Sequence, residues 1–160
     1  MSSLSSAGRI ALAKYFYSRP IHVAWGLGDS AWTTTPAPVT GAETALRNEV
    51  ARRTATQVAY VTPDPLGVIQ YSDGFYSVSS TPTRHLHIRT DFDYSEAVGA
   101  AIRETGLFVD SVMIAGLPTG QKYFAPAEVA SPGVLLNLKN YAPIYRLPDA
   151  RERFETILSF

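Results

Sequence analysis

The sequence predicts an α+β fold: an antiparallel β-sheet or β-sandwich with two helices in the N-terminal half, forming one domain over residues 1–160. Three observations carry this prediction. Two helix patterns with capping signals lie in the first third of the chain. Apolar and polar residues then alternate at period two through several segments. Asp73-Gly74 sits between two short apolar runs, the signature of a tight hairpin. A chain of 160 residues is ordinary for one domain and long enough to bury a sizeable core.

The elements follow in order. SLSSAGRIALAKYFYS reads as a helix, with Ser5 or Ser6 as N-cap and Ile10, Leu12, Ala13, Tyr15, Phe16 and Tyr17 giving a broad apolar surface. Pro20 ends it, because the residue before proline is pushed out of the α region. IHVAWGL is a short strand, and Gly26, Gly28 and Asp29 make the turn after it. WTTTPAPVTG is too rich in proline for a helix and reads as an extended loop. ETALRNEVARRTA predicts the second helix. Thr40 is its N-cap, Glu43 its capping-box partner, and Leu46 and Val50 stand one turn apart.

QVAYVTP is strand-like, and VIQYSDGFYSVSS gives two strands around Asp73-Gly74. RHLHIRTDFDY alternates most regularly. Leu86, Ile88, Thr90, Phe92 and Tyr94 share one face; His85, His87, Arg89, Asp91 and Asp93 share the other, which is expected to be solvated. In SEAVGAAIRETGLFV, helix propensity over Glu96–Glu104 competes with strand spacing at Ile102, Glu104, Gly106 and Phe108. Strand candidates follow at Lys122–Ala125 and in LLNLKNYAPIY. RERFETILSF is a final strand tied into the sheet.

Composition narrows the function classes. Fourteen basic residues balance fourteen acidic ones, which excludes the basic stripe of an electrostatic nucleic-acid binder. There is no cysteine, hence no disulfide framework, thiol nucleophile or Cys-ligated metal. No apolar stretch approaches the ~20 residues of a membrane helix. Arg9 and Lys14 interrupt the N-terminal apolar run, so no secretory leader is expected. Charged residues make up 18%, below the usual ~25%. Two causes fit this shortage: a large core, or a surface covered by partners, since interface cores are depleted of charge.

Catalytic signatures are sparse. GLGD at Gly26–Asp29 lacks the third glycine of a dinucleotide fingerprint, and there is no P-loop or Gly-x-Ser-x-Gly elbow. His85 and His87, two apart on one strand face with Asp91 and Asp93 beyond them, are the best candidate for a small metal- or carbohydrate-binding module. A solvated sheet face carrying mixed charges is the plainer explanation of the same residues. Glu104 stands between Ile102 and Leu107; a buried carboxylate must be paired or hydrogen-bonded, so it reads as a structural group holding a turn that Gly106 completes. Arg52 and Arg53 suit the C-terminal end of a helix. Tyr15, Phe16, Tyr17, Trp25 and Trp32 concentrate in the first fifth of the chain, and Tyr and Trp are frequent interface anchors.

The order of these pieces resembles the N-terminal, baseplate-attachment domain of bacteriophage tail-collar and tail-fibre proteins. The carrying segments are SSAGRIALAKYFYS, WGLGDSAW (with Ser30 where the family's turn has glycine), PVTGAETALRNEVARR, IRETGLF, YFAPAEV or YAPIYRL, and FETILSF. The resemblance implies a strand with a turn at IRETGLF, overriding helix propensity. Fibre proteins continue into a long shaft where this sequence ends, so the resemblance implies a baseplate component or fibre adaptor rather than a fibre.

The expected function is that of a structural virion protein of a contractile tail, assembled in the host cytoplasm. It would act without catalysis, cofactor or metal. Its partners are expected to be other tail, baseplate and fibre proteins and its own copies in a dimer or trimer, with neither nucleic acid nor membrane. The expected contact residues are Tyr15, Tyr17, Trp25, Trp32, Arg52 and Arg53, with Glu104 and Gly106 as structural residues.

Overall fold

The computed structural model describes residues 3–160. In chain order the elements are α1 (Ser6–Tyr17), β1 (Ile21–Gly26), β2 (Glu49–Thr54), β3 (Gln57–Pro63), β4 (Ile69–Tyr71), β5 (Gly74–Val78), β6 (His85–Phe92) and β7 (Ala101–Val109), followed by β8 (Val112–Met113), β9 (Tyr123–Phe124), β10 (Val129–Ser131), β11 (Val134–Tyr145) and β12 (Glu152–Ser159). A single 3-10 turn at Pro126–Glu128 precedes β10. The strands pair antiparallel in two five-stranded sheets and one two-stranded ladder, β10-β8. The α+β class therefore stands, with one α-helix rather than two among the described residues. Backbone contacts divide the chain into two compact units: Met1–Arg19 with Ala55–Thr90 and Arg153–Phe160, and Pro20–Thr54 with Asp91–Glu152.

The first unit holds α1 and most of the sheet ordered β12-β6-β3-β5-β4. Ser5 caps the helix, its hydroxyl accepting the Gly8 N–H at 3.1 Å. Ser18 closes the other end, donating its hydroxyl to the Tyr15 carbonyl at 2.8 Å. Only Ala13 of the helix is buried, and its aromatics stack outward: Phe16 on Phe160 at 5.2 Å and Tyr17 on Tyr60 at 4.5 Å. Val61, Tyr76 and Ile157 form the unit's core, with Ile69 and Tyr71 against them. The hairpin expected at Asp73-Gly74 forms, Tyr71 pairing with Gly74 at its mouth. Strand β6 corrects an expectation. His85 and His87 are buried along with Leu86 and Ile88, so the histidine face is not solvated. This strand is interior to its sheet, and period-two alternation marks burial only where one face meets water.

The second unit is built on the sheet ordered β11-β7-β1-β2-β9. All six residues of β1 are buried, as a nearly continuous apolar run at the centre of a sheet requires. Ala24, Leu46 and Phe108 form a core cluster, with Leu135 and Leu138 packed on it.

The second predicted helix is absent. Residues 41–48 are irregular, and Glu49–Thr54 is strand β2, paired with β1 and β9. The capping-box contacts nevertheless form: the Glu43 carboxylate accepts the Thr40 N–H and hydroxyl, both at 2.9 Å, and the Gly41 N–H at 2.8 Å. Helix propensity is a weak prior, and it loses here to tertiary contacts that draw Leu46 into the core and pair residues 49–54 along the sheet. The predicted turn at Gly106 is also absent, since β7 runs straight through it, paired on both sides. A side chain at Gly106 would strike Leu46, Phe108 and Leu135.

Candidate docking surfaces

Glu104 organises the most elaborate site of the second unit. It projects from β7 and is 1% exposed. Its carboxylate accepts three backbone N–H groups: Gly28 at 3.1 Å and Asn48 at 2.9 Å on one oxygen, and Arg47 at 3.1 Å on the other. One buried charge thus ties the chain after β1 to the chain before β2, and the Leu27 N–H to Asn48 carbonyl bond at 2.8 Å reinforces the join. Gly26 is required beside it, because a side chain there would overlap the Glu104 carboxylate.

The join presents polar and aromatic groups outward. Trp32 is half-buried against Gly28, whose φ of +58° and close approach to the indole leave no room for a side chain. The Arg47 guanidinium lies 5.6 Å from the Trp32 ring and pairs with Asp29 at 2.6 Å. Arg103 donates to the carbonyls of Trp32 at 3.0 Å and Leu27 at 3.3 Å. A shallow cleft of about 370 Å³ lies among Asp29, Ser30, Arg47, Asn48 and Arg103.

The remaining expected contact residues divide by burial. Tyr15 and Tyr17 are 51% and 46% exposed on α1, with Arg19 5.3 Å from the Tyr15 ring. Trp25 is interior instead. It stacks on Phe92 at 3.4 Å, with the buried Arg146 5.2 Å from its ring. Arg52 and Arg53 lie on β2, not at a helix end, and alternate to opposite sides as strand neighbours must. Arg52 is 1% exposed. It grips Glu49 bidentately at 2.9 and 2.8 Å, donates to Ser111 Oγ and the Pro132 carbonyl at 2.6 Å each, and lies over Phe108 at 3.9 Å. Arg53 is partly buried and pairs with Glu96. Within the second unit Trp32 therefore joins the Glu104 site, whereas Trp25 and Arg52 serve the interior.

The histidine cluster does not assemble. His85 hydrogen-bonds Ser159 through Nδ1 at 2.7 Å and accepts the Arg84 Nε–H on Nε2 at 3.1 Å. His87 Nε2 lies 3.6 Å from Glu155. Asp93 falls beyond the end of β6 and is engaged by Arg151 at 3.0 Å. Among the described residues, no group of three or more His, Asp or Glu side chains is placed to hold a metal.

Sequence reading missed one feature. In the first unit, Leu66 and Val68 are each 92% exposed on the β3–β4 loop. That loop is pinned: Asp64 accepts the Leu66 N–H at 3.0 Å and the Ser77 hydroxyl at 2.6 Å, its own N–H donates to the Phe75 carbonyl at 2.9 Å, and its carbonyl accepts the Gly67 N–H at 2.8 Å. Gly67 lies against the Tyr76 backbone where no side chain fits. The sequence signal was PDPLG, whose prolines and glycine mark a turn at Leu66 but not whether the aliphatic side chains there face water.

These surfaces can be compared with known proteins. No curated protein matches the chain. A family model described as "Baseplate wedge 3 tail fiber network component" matches residues 1–160. The family is one of structural proteins of the bacteriophage tail baseplate, in agreement with the tail-attachment resemblance of the sequence. The chain belongs to the baseplate wedge 3 tail fiber network component family.

Proposed function

We propose that this protein is an adaptor of the baseplate wedge that links tail-fibre components through its surfaces alone, without catalysis and without binding nucleic acid or membrane. It is made in the host cytoplasm and joins the tail there. The observation that carries this reading is the Leu66–Val68 loop. Two aliphatic side chains stand almost fully in water on a backbone held rigid by Asp64 and Ser77. A preorganised apolar knob loses little entropy when it enters a partner's pocket, which favours docking.

Tyr15 and Tyr17 on α1, and Trp32 and Arg53 in the second unit, supply further contacts. Trp25 and Arg52 support those surfaces from within, and Glu104 and Gly106 shape the join that carries Trp32. The family match spans residues from both compact units, which supports treating residues 1–160 as one functional piece.

The test is capture of tail proteins from a phage-infected lysate by the tagged chain, compared with Leu66→Asp/Val68→Asp. An interface anchor is worth roughly 2 kcal/mol or more, so the double variant is expected to lose at least about 30-fold in affinity while remaining folded. Equal capture by both proteins would remove the loop from the docking surface. Capture of no tail protein by the parent chain would sink the adaptor reading.

A further inference from the structure

A sheet edge left without charge and without a neighbour is a template for another strand. Natural proteins blunt such edges by shortening the strand or by placing charges along it. Three of the four edges of the two five-stranded sheets follow this rule. Strand β4 has three residues and β9 has two. Strand β12 carries Glu152, Arg153 and Glu155.

The fourth edge, β11, does not. Its twelve residues, VLLNLKNYAPIY, extend over about 40 Å and carry a single charge, Lys139. Among the described residues, β11 pairs with β7 on one side and with no strand on the other. Its ends are apolar and open to water: Val134 is 60% exposed, Ile144 45% and Tyr145 64%.

We infer that β11 pairs with β11 of a second copy, antiparallel about a two-fold axis at Asn140, joining the two five-stranded sheets edge to edge. This inference rests on the reading that the protein works through its surfaces, and it names one partner. The choice of occupant follows from self-complementarity. An antiparallel two-fold brings the Val134 end of one strand beside the Tyr145 end of the other, so the strand's most exposed apolar residues cover each other. With the axis at Asn140, Lys139 falls opposite Tyr141 of the second copy, so the only charge on the strand does not oppose itself directly. The regular run Asn137–Asn140 is flanked by one register shift on each side, between Leu135 and Asn137 and between Asn140 and Ile144. The shift between Leu135 and Asn137 adds one residue to the strand, so that with the axis at Asn140 Val134 can face Tyr145 of the second copy. Pro143 removes one N–H donor and leaves the central run intact.

The test is light scattering on the full chain across a concentration series. Twice the monomer mass is expected, and a monomer throughout would overturn the pairing. Val134→Lys/Tyr145→Lys places like charges opposite each other and should weaken the dimer by roughly 100-fold. Val134→Lys/Tyr145→Glu should restore it. The natural chain has no cysteine, so Val134→Cys/Tyr145→Cys gives a second readout. The two positions lie at opposite ends of one strand and are too far apart to bridge within a chain, so mild oxidation should produce a covalent dimer. A dimer indifferent to the charge pairs and to oxidation would place the interface elsewhere. Capture of tail proteins by the Leu66–Val68 loop is measured separately, so either idea can fail without the other.

Discussion

Replacing Glu104 by glutamine keeps the side chain's size and removes its charge. In the native site one carboxylate oxygen accepts from Gly28 and Asn48, and the other from Arg47. The substituted side chain would keep the first two bonds through its amide oxygen. Its amide nitrogen would then face the Arg47 N–H, setting donor against donor inside a site that is 1% exposed. The loss is one charge-assisted hydrogen bond plus an unmet buried donor, about 2–3 kcal/mol. Glu104→Ala leaves all three donors unmet. That costs on the order of 5 kcal/mol, comparable to the whole stability of a marginal domain. Urea unfolding reads the difference directly: with a slope of about 2 kcal/mol/M, Glu104→Gln should lower the midpoint by roughly 1 M. A loss below about 0.5 kcal/mol, the range of ordinary surface substitutions, would refute the claim that this carboxylate holds the two segments together.

Two further predictions concern buried histidines and Gly106. Burial, with Arg52 and Lys122 nearby, lowers the His22 pKa from 6.5 to about 4, so the folded protein holds this ring neutral. The unfolded chain binds the extra proton between those values, so stability should rise with pH from about 4 to 6.5 and then level off, by up to about 3 kcal/mol. His85 and His87 are lowered by burial as well and act in the same direction. Urea midpoints measured across that pH range check this, with His22→Asn expected to flatten part of the slope; a flat parent profile would contradict it. Gly106→Ala should lower stability by about 1–3 kcal/mol through crowding against Leu46, Phe108 and Leu135, and unchanged thermal unfolding would show that those side chains yield freely.

What could be read from the sequence followed the range of the interactions involved. The Ser5 cap, the stop before Pro20, the apolar run of β1 and the Asp73-Gly74 hairpin depend on neighbours in sequence, and all were legible. Glu104 stood out because a carboxylate between apolar strand residues needs donors, although the donors themselves come from Gly28, Arg47 and Asn48, far along the chain. The segment from Thr40 to Thr54 misled for an instructive reason. Its capping-box hydrogen bonds are local and do form, but the helix they announce is overridden by pairing of β2 with β1 and β9. The burial of His85 and His87, and of Trp25 and Arg52, depends on which elements pack around them, and alternation along one strand does not encode that. The exposure of Leu66 and Val68 was hidden for the opposite reason, since aliphatic residues beside a turn motif are ordinarily expected to pack.

The central claim is that this member of the baseplate wedge family works by docking within the tail. The most direct measurement is cross-linking mass spectrometry of intact, purified tails. The account predicts that the protein is present in the particle and that residues flanking the Leu66–Val68 loop are linked to a second tail or fibre protein. Its absence from purified tails, or its presence with that loop linked to nothing, would contradict the account.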